Sequence, residues 1–125
     1  MKLIITALFL AIGTFVFGQC PLPDYSWKHN KNRFEIKEAQ FTSAVYIFQW
    51  KDQFSDIWIS KEVKLHAVSS INCKNGSCTY TVGVVETTLP GSLFYGVHDG
   101  WVVRFAKKCS GGELSPFTQE YIINL

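Results

Sequence analysis

The chain has 125 residues, of which 47% are hydrophobic, 15% aromatic and 18% charged. Twelve Lys and Arg against ten Asp and Glu give a formal charge of +2, too small a field to draw in nucleic acid or anionic lipid. Its length suits one domain and leaves no room for a second.

Lys2, the continuous apolar run Leu3 to Phe17 and then Gly18 make the charged start, hydrophobic middle and small-residue exit of a secretory signal peptide over residues 1–19. The run falls short of the roughly 20 residues that cross a bilayer, so a membrane span is not expected. Residues 20–125 are expected to form the mature domain, extracellular or, in a bacterium, periplasmic. Without Lys2, eleven cationic residues face ten anionic ones, a net charge near +1. In that oxidising compartment Cys20, Cys73, Cys78 and Cys109 are expected to form two disulfides. A lipid on Cys20 is the weaker alternative, because Gln19 stands where lipoprotein cleavage requires a small residue.

Cys20 to Pro23 reads as a proline-stiffened entry, and Ser26 to Arg33 as a polar, locally basic loop. A short first strand is expected at Phe34 to Lys37. Ala44 to Trp50 is rich in β-branched and aromatic residues on both pleat faces, the pattern of a strand covered on both sides. Trp58 to Val68 alternates, with Ile59, Val63, Leu65 and Ala67 on one face and Ser60, Glu62, Lys64 and His66 on the other.

Asn75-Gly76 supplies the two positive φ values of a type I′ turn, so Lys74 pairs with Ser77 and Cys73 with Cys78 at the next, non-hydrogen-bonded site, within disulfide reach. The first bridge is therefore Cys73 to Cys78, which leaves Cys20 to Cys109. The second arm of the hairpin runs from Thr79 to Thr87. Further strands are expected at Leu93 to Val97, at Trp101 to Lys107 after the His98-Asp99-Gly100 turn, and at Phe117 to Ile123. No window has helical periodicity. Seven short strands with frequent turns predict an all-β, antiparallel sandwich.

Trp50 at the end of the second strand, the Trp101-Val102-Val103-Arg104-Phe105 pattern and the Gly111-Gly112-Glu113-Leu114-Ser115 turn together resemble a fibronectin type III domain, an immunoglobulin-like sandwich, over nearly the whole mature chain. Trp58 to Val68 is also similar to the third strand of tapeworm oncosphere antigens, secreted proteins with one such domain. The sequence departs from the family at its corner motif. Leu89, Pro90 and Tyr95 would fit that motif only if Trp101 did not start the sixth strand, and the four cysteines are foreign to it. The resemblance implies that the chain entry and the loop between the last two strands share a pole, where Cys20 and Cys109 would meet.

No acid, base or nucleophile constellation is visible, and no cofactor or metal site is expected. His29, His66 and His98 lie in separate segments without metal-ligand spacing. Asp99 and Glu86 beside His98 are more simply a turn residue and a wet strand residue. The mixed aromatic and basic run Trp27 to Arg33 offers a sulfated glycan too few charges, and a solvated loop explains it better. Trp27, Trp58 and the Phe94-Tyr95 pair are candidates for an exposed aromatic patch. Asn75-Gly76-Ser77 is an N-glycosylation acceptor in a eukaryotic secretory pathway, although the turn alone accounts for Asn75 equally well.

The expected function is non-catalytic recognition, of adhesion or surface-antigen type, toward an extracellular protein or cell-surface ligand. Carbohydrate binding by exposed aromatics is the first alternative, and a small secreted enzyme inhibitor or enzyme the second. The expected contact region joins the Lys107 to Pro116 loop to the Asp52 to Asp56 turn at the Cys109 pole, with Phe54, Lys108 and Glu113 as contact residues.

Overall fold

The computed structural model describes residues 20–65, 70–83 and 96–125. The signal segment 1–19, His66 to Val68, Glu86, Leu89, Pro90 and the expected Phe94-Tyr95 pair lie outside the described residues. The described residues form two four-stranded antiparallel sheets and no α-helix. The first has the order β1-β2-β6-β5 and the second β4-β3-β7-β8, where the strands are β1 (Tyr25–Lys28), β2 (Arg33–Ala39), β3 (Val45–Lys51), β4 (Ile59–Lys64), β5 (Ser70–Lys74), β6 (Ser77–Gly83), β7 (Val102–Lys108) and β8 (Tyr121–Ile122). Each sheet is two hairpins joined side by side, β2 to β6 and β3 to β7.

Alternation decides which residues meet between the sheets. Phe34 and Ile36 on β2, Tyr80 and Val82 on β6, Tyr46, Phe48 and Trp50 on β3, and Val103 and Phe105 on β7 all point inward into one buried cluster. Phe34 meets Phe105 edge-on at 4.9 Å between ring centroids, and Tyr25, Trp27 and Tyr121 gather round the pair. Near one end of this core Glu38 of β2 receives the Tyr46 hydroxyl and pairs with Lys107 of β7 at 3.0 Å, so an ion pair with little exposure ties the two sheets together.

Both disulfides secure that same end. Asn75 (φ 54°) and Gly76 (φ 84°) make the expected turn, with Lys74 opposite Ser77 and Cys73 bonded to Cys78. Cys20 is bonded to Cys109, its Cα 5.8 Å away, so its sulfur is not available for a lipid. The bridge closes 89 residues of separation, worth about 4 kcal/mol in the chain-entropy model. The opposite end is closed by hydrogen bonds. The buried amide of Asn32, in left-handed conformation at φ 49°, donates to the Asn124 carbonyl and accepts the Asn124 N–H at 2.8 Å.

Several expected elements are corrected. Among the described residues there are eight strands: six of the seven expected, together with β1 and the first hairpin arm β5; of the expected Leu93 to Val97 strand, residues 93–95 lie outside the described residues, and Gly96 and Val97 are not in a strand. The supposed loop Ser26 to Arg33 holds all of β1 but Tyr25 and the first residue of β2, and Trp27 turns inward against Phe34. The supposed double-sided strand is β3, and only Tyr46, Phe48 and Trp50 are buried, since the second sheet has its core on one side. The Trp58 strand is the edge strand β4, exposed along most of its length, so its alternation leaves Ile59 46% exposed. The final strand shrinks to Tyr121–Ile122. Between Lys108↔Leu114 and Val103↔Tyr121 the β8 side carries two more residues than β7, and the hydroxyls of Ser115 and Thr118 accept the Lys107 and Phe105 N–H groups there. Pro116 has no N–H to offer a ladder.

Truncating Trp50, which is 5% exposed in the core, is expected to cost about 3 to 5 kcal/mol as Trp50→Ala, checked by denaturant melts. A second expectation concerns alkaline pH. Burial, helped by the hydrogen bond to Glu38, pushes the Tyr46 hydroxyl far above its ordinary value, and burial with the Tyr25 hydrogen bond pushes Tyr121 up to about 12. The unfolded chain then loses these protons first, near pH ~10, so the stability they contribute is complete below that pH and drains away as pH rises above it. Tyr46→Phe should flatten the decline above pH ~10 by about 1.4 kcal/mol per pH unit, one proton's share, in urea titrations.

Candidate functional site

The outward residues of the second sheet make a surface quite unlike the core face. Register puts Gln49 of β3 beside Ser60 of β4 on one side and Arg104 of β7 on the other. Arg104 Nε donates to Gln49 Oε1 at 2.8 Å, and Gln49 Nε2 donates to Ser60 Oγ at 2.9 Å, a polar row across three strands. Above it the Arg104 guanidinium lies between two rings, 4.0 Å from the Trp58 centroid and 4.3 Å from that of Phe117. Lys51 Nζ stands 5.0 Å from Trp58. The planar guanidinium suits such stacking where an ammonium would not.

Beside this stack an open groove of about 450 Å³ runs over Ile47, Gln49, Ser60, Lys61, Leu114 and Phe117. Glu62 lines it too, and also lines a second hollow of about 290 Å³ with Val45, Lys108 and Gly112 at the disulfide end. Glu62 and Lys108 pair across it at 3.2 Å, an exposed contact worth about 0 to 1 kcal/mol. The floor is apolar and the rim charged. Leu114 is 47% exposed, held there by a tight turn in which Gly112 (φ 90°) donates to the Cys109 carbonyl and Cys109 to the Glu113 carbonyl, both at 2.9 Å.

The expected contact residues do not come together. Lys108 lines the second hollow, at the disulfide end, and Glu113 is exposed on the adjoining turn. Phe54, 89% exposed, is at the other end of the molecule. Lys51, which leads into its turn, pairs with Val102 at the start of β7, whereas Cys109 follows Lys108 at the end. Antiparallel pairing makes consecutive loops alternate between ends, and seven strand residues separate them by about 20 Å. The placement of the Asp52 to Asp56 turn at the Cys109 pole is thereby corrected.

The remaining candidates scatter. Trp27 stacks face to face on Tyr121 at 5.3 Å, so it is no open platform, and Trp58 lies under Arg104. The basic run lines an open cavity of about 410 Å³, where Glu35 meets both Lys28 at 3.9 Å and Arg33 at 3.4 Å. His98 is exposed and packs edge-on against Trp101, and Asp99 accepts the Leu125 N–H at 2.7 Å. Among the described residues no three His, Cys, Asp or Glu side chains are grouped to hold a metal, and no helix is long and apolar enough to cross a membrane.

Sequence reasoning missed Ile47, Gln49, Ser60 and Lys61, which line the groove with Phe117, Gln49 also bonding Arg104. A signal existed: Arg104 between Val103 and Phe105, and Gln49 between Phe48 and Trp50, are polar positions on the wet side of strands whose neighbours are core. Comparison with protein-family models, curated proteins and solved structures finds no match to this chain.

Replacing Arg104 by Met should remove both ring contacts and the Gln49 bond, costing about 1 to 2 kcal/mol in melts. Arg104→Lys should recover less than half of that, because the flat stack is lost. Trp58 fluorescence reports the change.

Proposed function

We propose that the chain is a secreted, non-catalytic recognition module with a fibronectin type III-like sandwich, which binds an extracellular protein or cell-surface ligand through the outer face of its second sheet. One observation carries this reading. An open apolar strip is made by Ile47 of β3, Leu114 of the turn after Cys109 and Phe117 of the segment before β8, and it is framed by Lys61, Glu62 and Lys108. An apolar centre within a charged rim is how protein interfaces are built, and a surface held by a strand, a hydrogen-bonded turn and the Arg104 stack loses little entropy on docking. The strand order of the two sheets supports the resemblance, and the two disulfides support an oxidising compartment. Sandwiches host many functions, so the surface argues for recognition and the fold does not.

The protein-binding reading is preferred to carbohydrate binding because the ring faces of Trp27 and Trp58 are occupied by Tyr121 and Arg104. It is preferred to an enzyme because Asp99 is engaged by the Leu125 amide beside an exposed His98.

The test begins with purified protein on arrays of extracellular proteins and glycans. Against the protein partner so found, Leu114→Asp with Lys61→Glu should weaken binding at least tenfold with the melting temperature nearly unchanged, since both residues are exposed. Phe54→Ala, at the far end, should leave affinity intact. Loss of binding with Phe54→Ala alone, capture of glycans only, or hydrolytic turnover abolished by His98→Ala would each overturn the proposal.

A further inference from the structure

Phe41 is the most exposed large apolar residue of the described chain, at 90%, and it sits in the left-handed region at φ 68°. Bulky side chains rarely adopt that conformation, and an outlier of this kind invites a functional explanation. It is the third residue of a turn in which Thr42 donates to the Ala39 carbonyl at 3.2 Å. Core packing does not explain it.

Its neighbour does. The β2–β6 register ends at Ala39↔Ser77, and the Gln40 N–H donates to the Gly76 carbonyl at 2.8 Å, which carries the pairing one place further. Phe41 follows Gln40 and Asn75 precedes Gly76, so the two residues flank this hydrogen-bonded pair where both segments turn. Asn75 is exposed at the tip of the disulfide-stapled hairpin and opens the acceptor triplet Asn75-Gly76-Ser77. Ser77 is exposed, and its hydroxyl makes only a long 3.4 Å contact to the Lys74 carbonyl.

We infer that Asn75 carries an N-linked glycan whose first N-acetylglucosamine packs against the Phe41 ring. The C–H groups of a pyranose face are suited to an aromatic face, and the turn that strains Phe41 is tied to the attachment hairpin by the Gln40–Gly76 bond, one residue from each. The modification uses a lipid-pyrophosphate-linked N-acetylglucosamine oligosaccharide. Asn75 Nδ2 forms a bond to the sugar C1, the C1–O bond breaks, the amide gives up one proton and the lipid pyrophosphate leaves with the electron pair. The inference rests on the secretory reading, and a eukaryotic pathway is its setting.

Expression of the full chain in a eukaryotic secretory host tests it. Peptide mass spectrometry of the secreted protein should find the glycan on most copies of Asn75, released by an amidase that leaves Asp in its place. Phe41→Ala should lower the melting temperature of the glycosylated protein by about 4 °C. In a Ser77→Ala background, which keeps the Asn-Gly turn but abolishes the acceptor, Phe41→Ala should cause no loss. Secreted protein bare at Asn75 overturns the inference and leaves the secretory reading intact. Equal effects of Phe41→Ala with and without the glycan overturn the packing. A chain neither secreted nor glycosylated counts against both.

Discussion

Phe34 and Phe105 meet edge to face between the sheets, and the rest of the structure is arranged to keep them there. Each belongs to the central pair of its own sheet, β2 beside β6 and β7 beside β3, so the contact joins the two strand pairs of longest register. Tyr25, Phe48 and Tyr121 add rings at edge-on or tilted angles, the arrangement that a ring's negative face and positive edge favour. A seam of this kind is directional. It fixes how one sheet lies over the other as well as holding them together.

The two ends are secured by different chemistry, and the difference has consequences. At one end two covalent bridges and the Glu38–Lys107 pair hold the loops that follow β2 and β7 and the β5–β6 hairpin. At the other, the Asn32 side chain stands in for a strand partner to Asn124, and Asp99 takes the next free amide at Leu125. Reduction would loosen the first end and leave the second, whose bonds depend on continued burial of the Asn32 amide. The surface near Cys109 therefore gains rigidity from the oxidised state of the four cysteines.

The outer face of the second sheet is stiff for another reason. Arg104 has its Nε satisfied by Gln49 and its plane held by Trp58 and Phe117, so a long flexible side chain becomes part of a fixed surface. It shields one aromatic that would otherwise be exposed and leaves the neighbouring groove floor open. A partner with an apolar ridge and a complementary charged margin matches that relief, and the exposed charges around it would govern encounter rate more than final affinity.

Local rules decided much of this molecule. The Asn75-Gly76 turn sets two positive φ values, and two positive φ values set the Cys73–Cys78 register, so one bridge was legible from six residues and the other followed by elimination. The apolar run Ala44 to Trp50 was legible as a strand, and the fibronectin type III resemblance pointed to Trp50 as core, but that only one face of this strand is buried was not legible. Tertiary structure decided what alternation cannot carry. A polar run such as Ser26 to Arg33 becomes strand when a neighbour offers hydrogen bonds, and Asn32 is buried only because Asn124 arrives beside it from far along the chain. Edge or centre, for β4, depends on which strands fail to pair with it. Which loops share an end depends on how many strands separate them, and that parity parted Phe54 from Lys108. The groove on the second sheet belongs to this class, since its residues come from β3, β4 and the turn after Cys109, and nothing in their local sequence says that they meet.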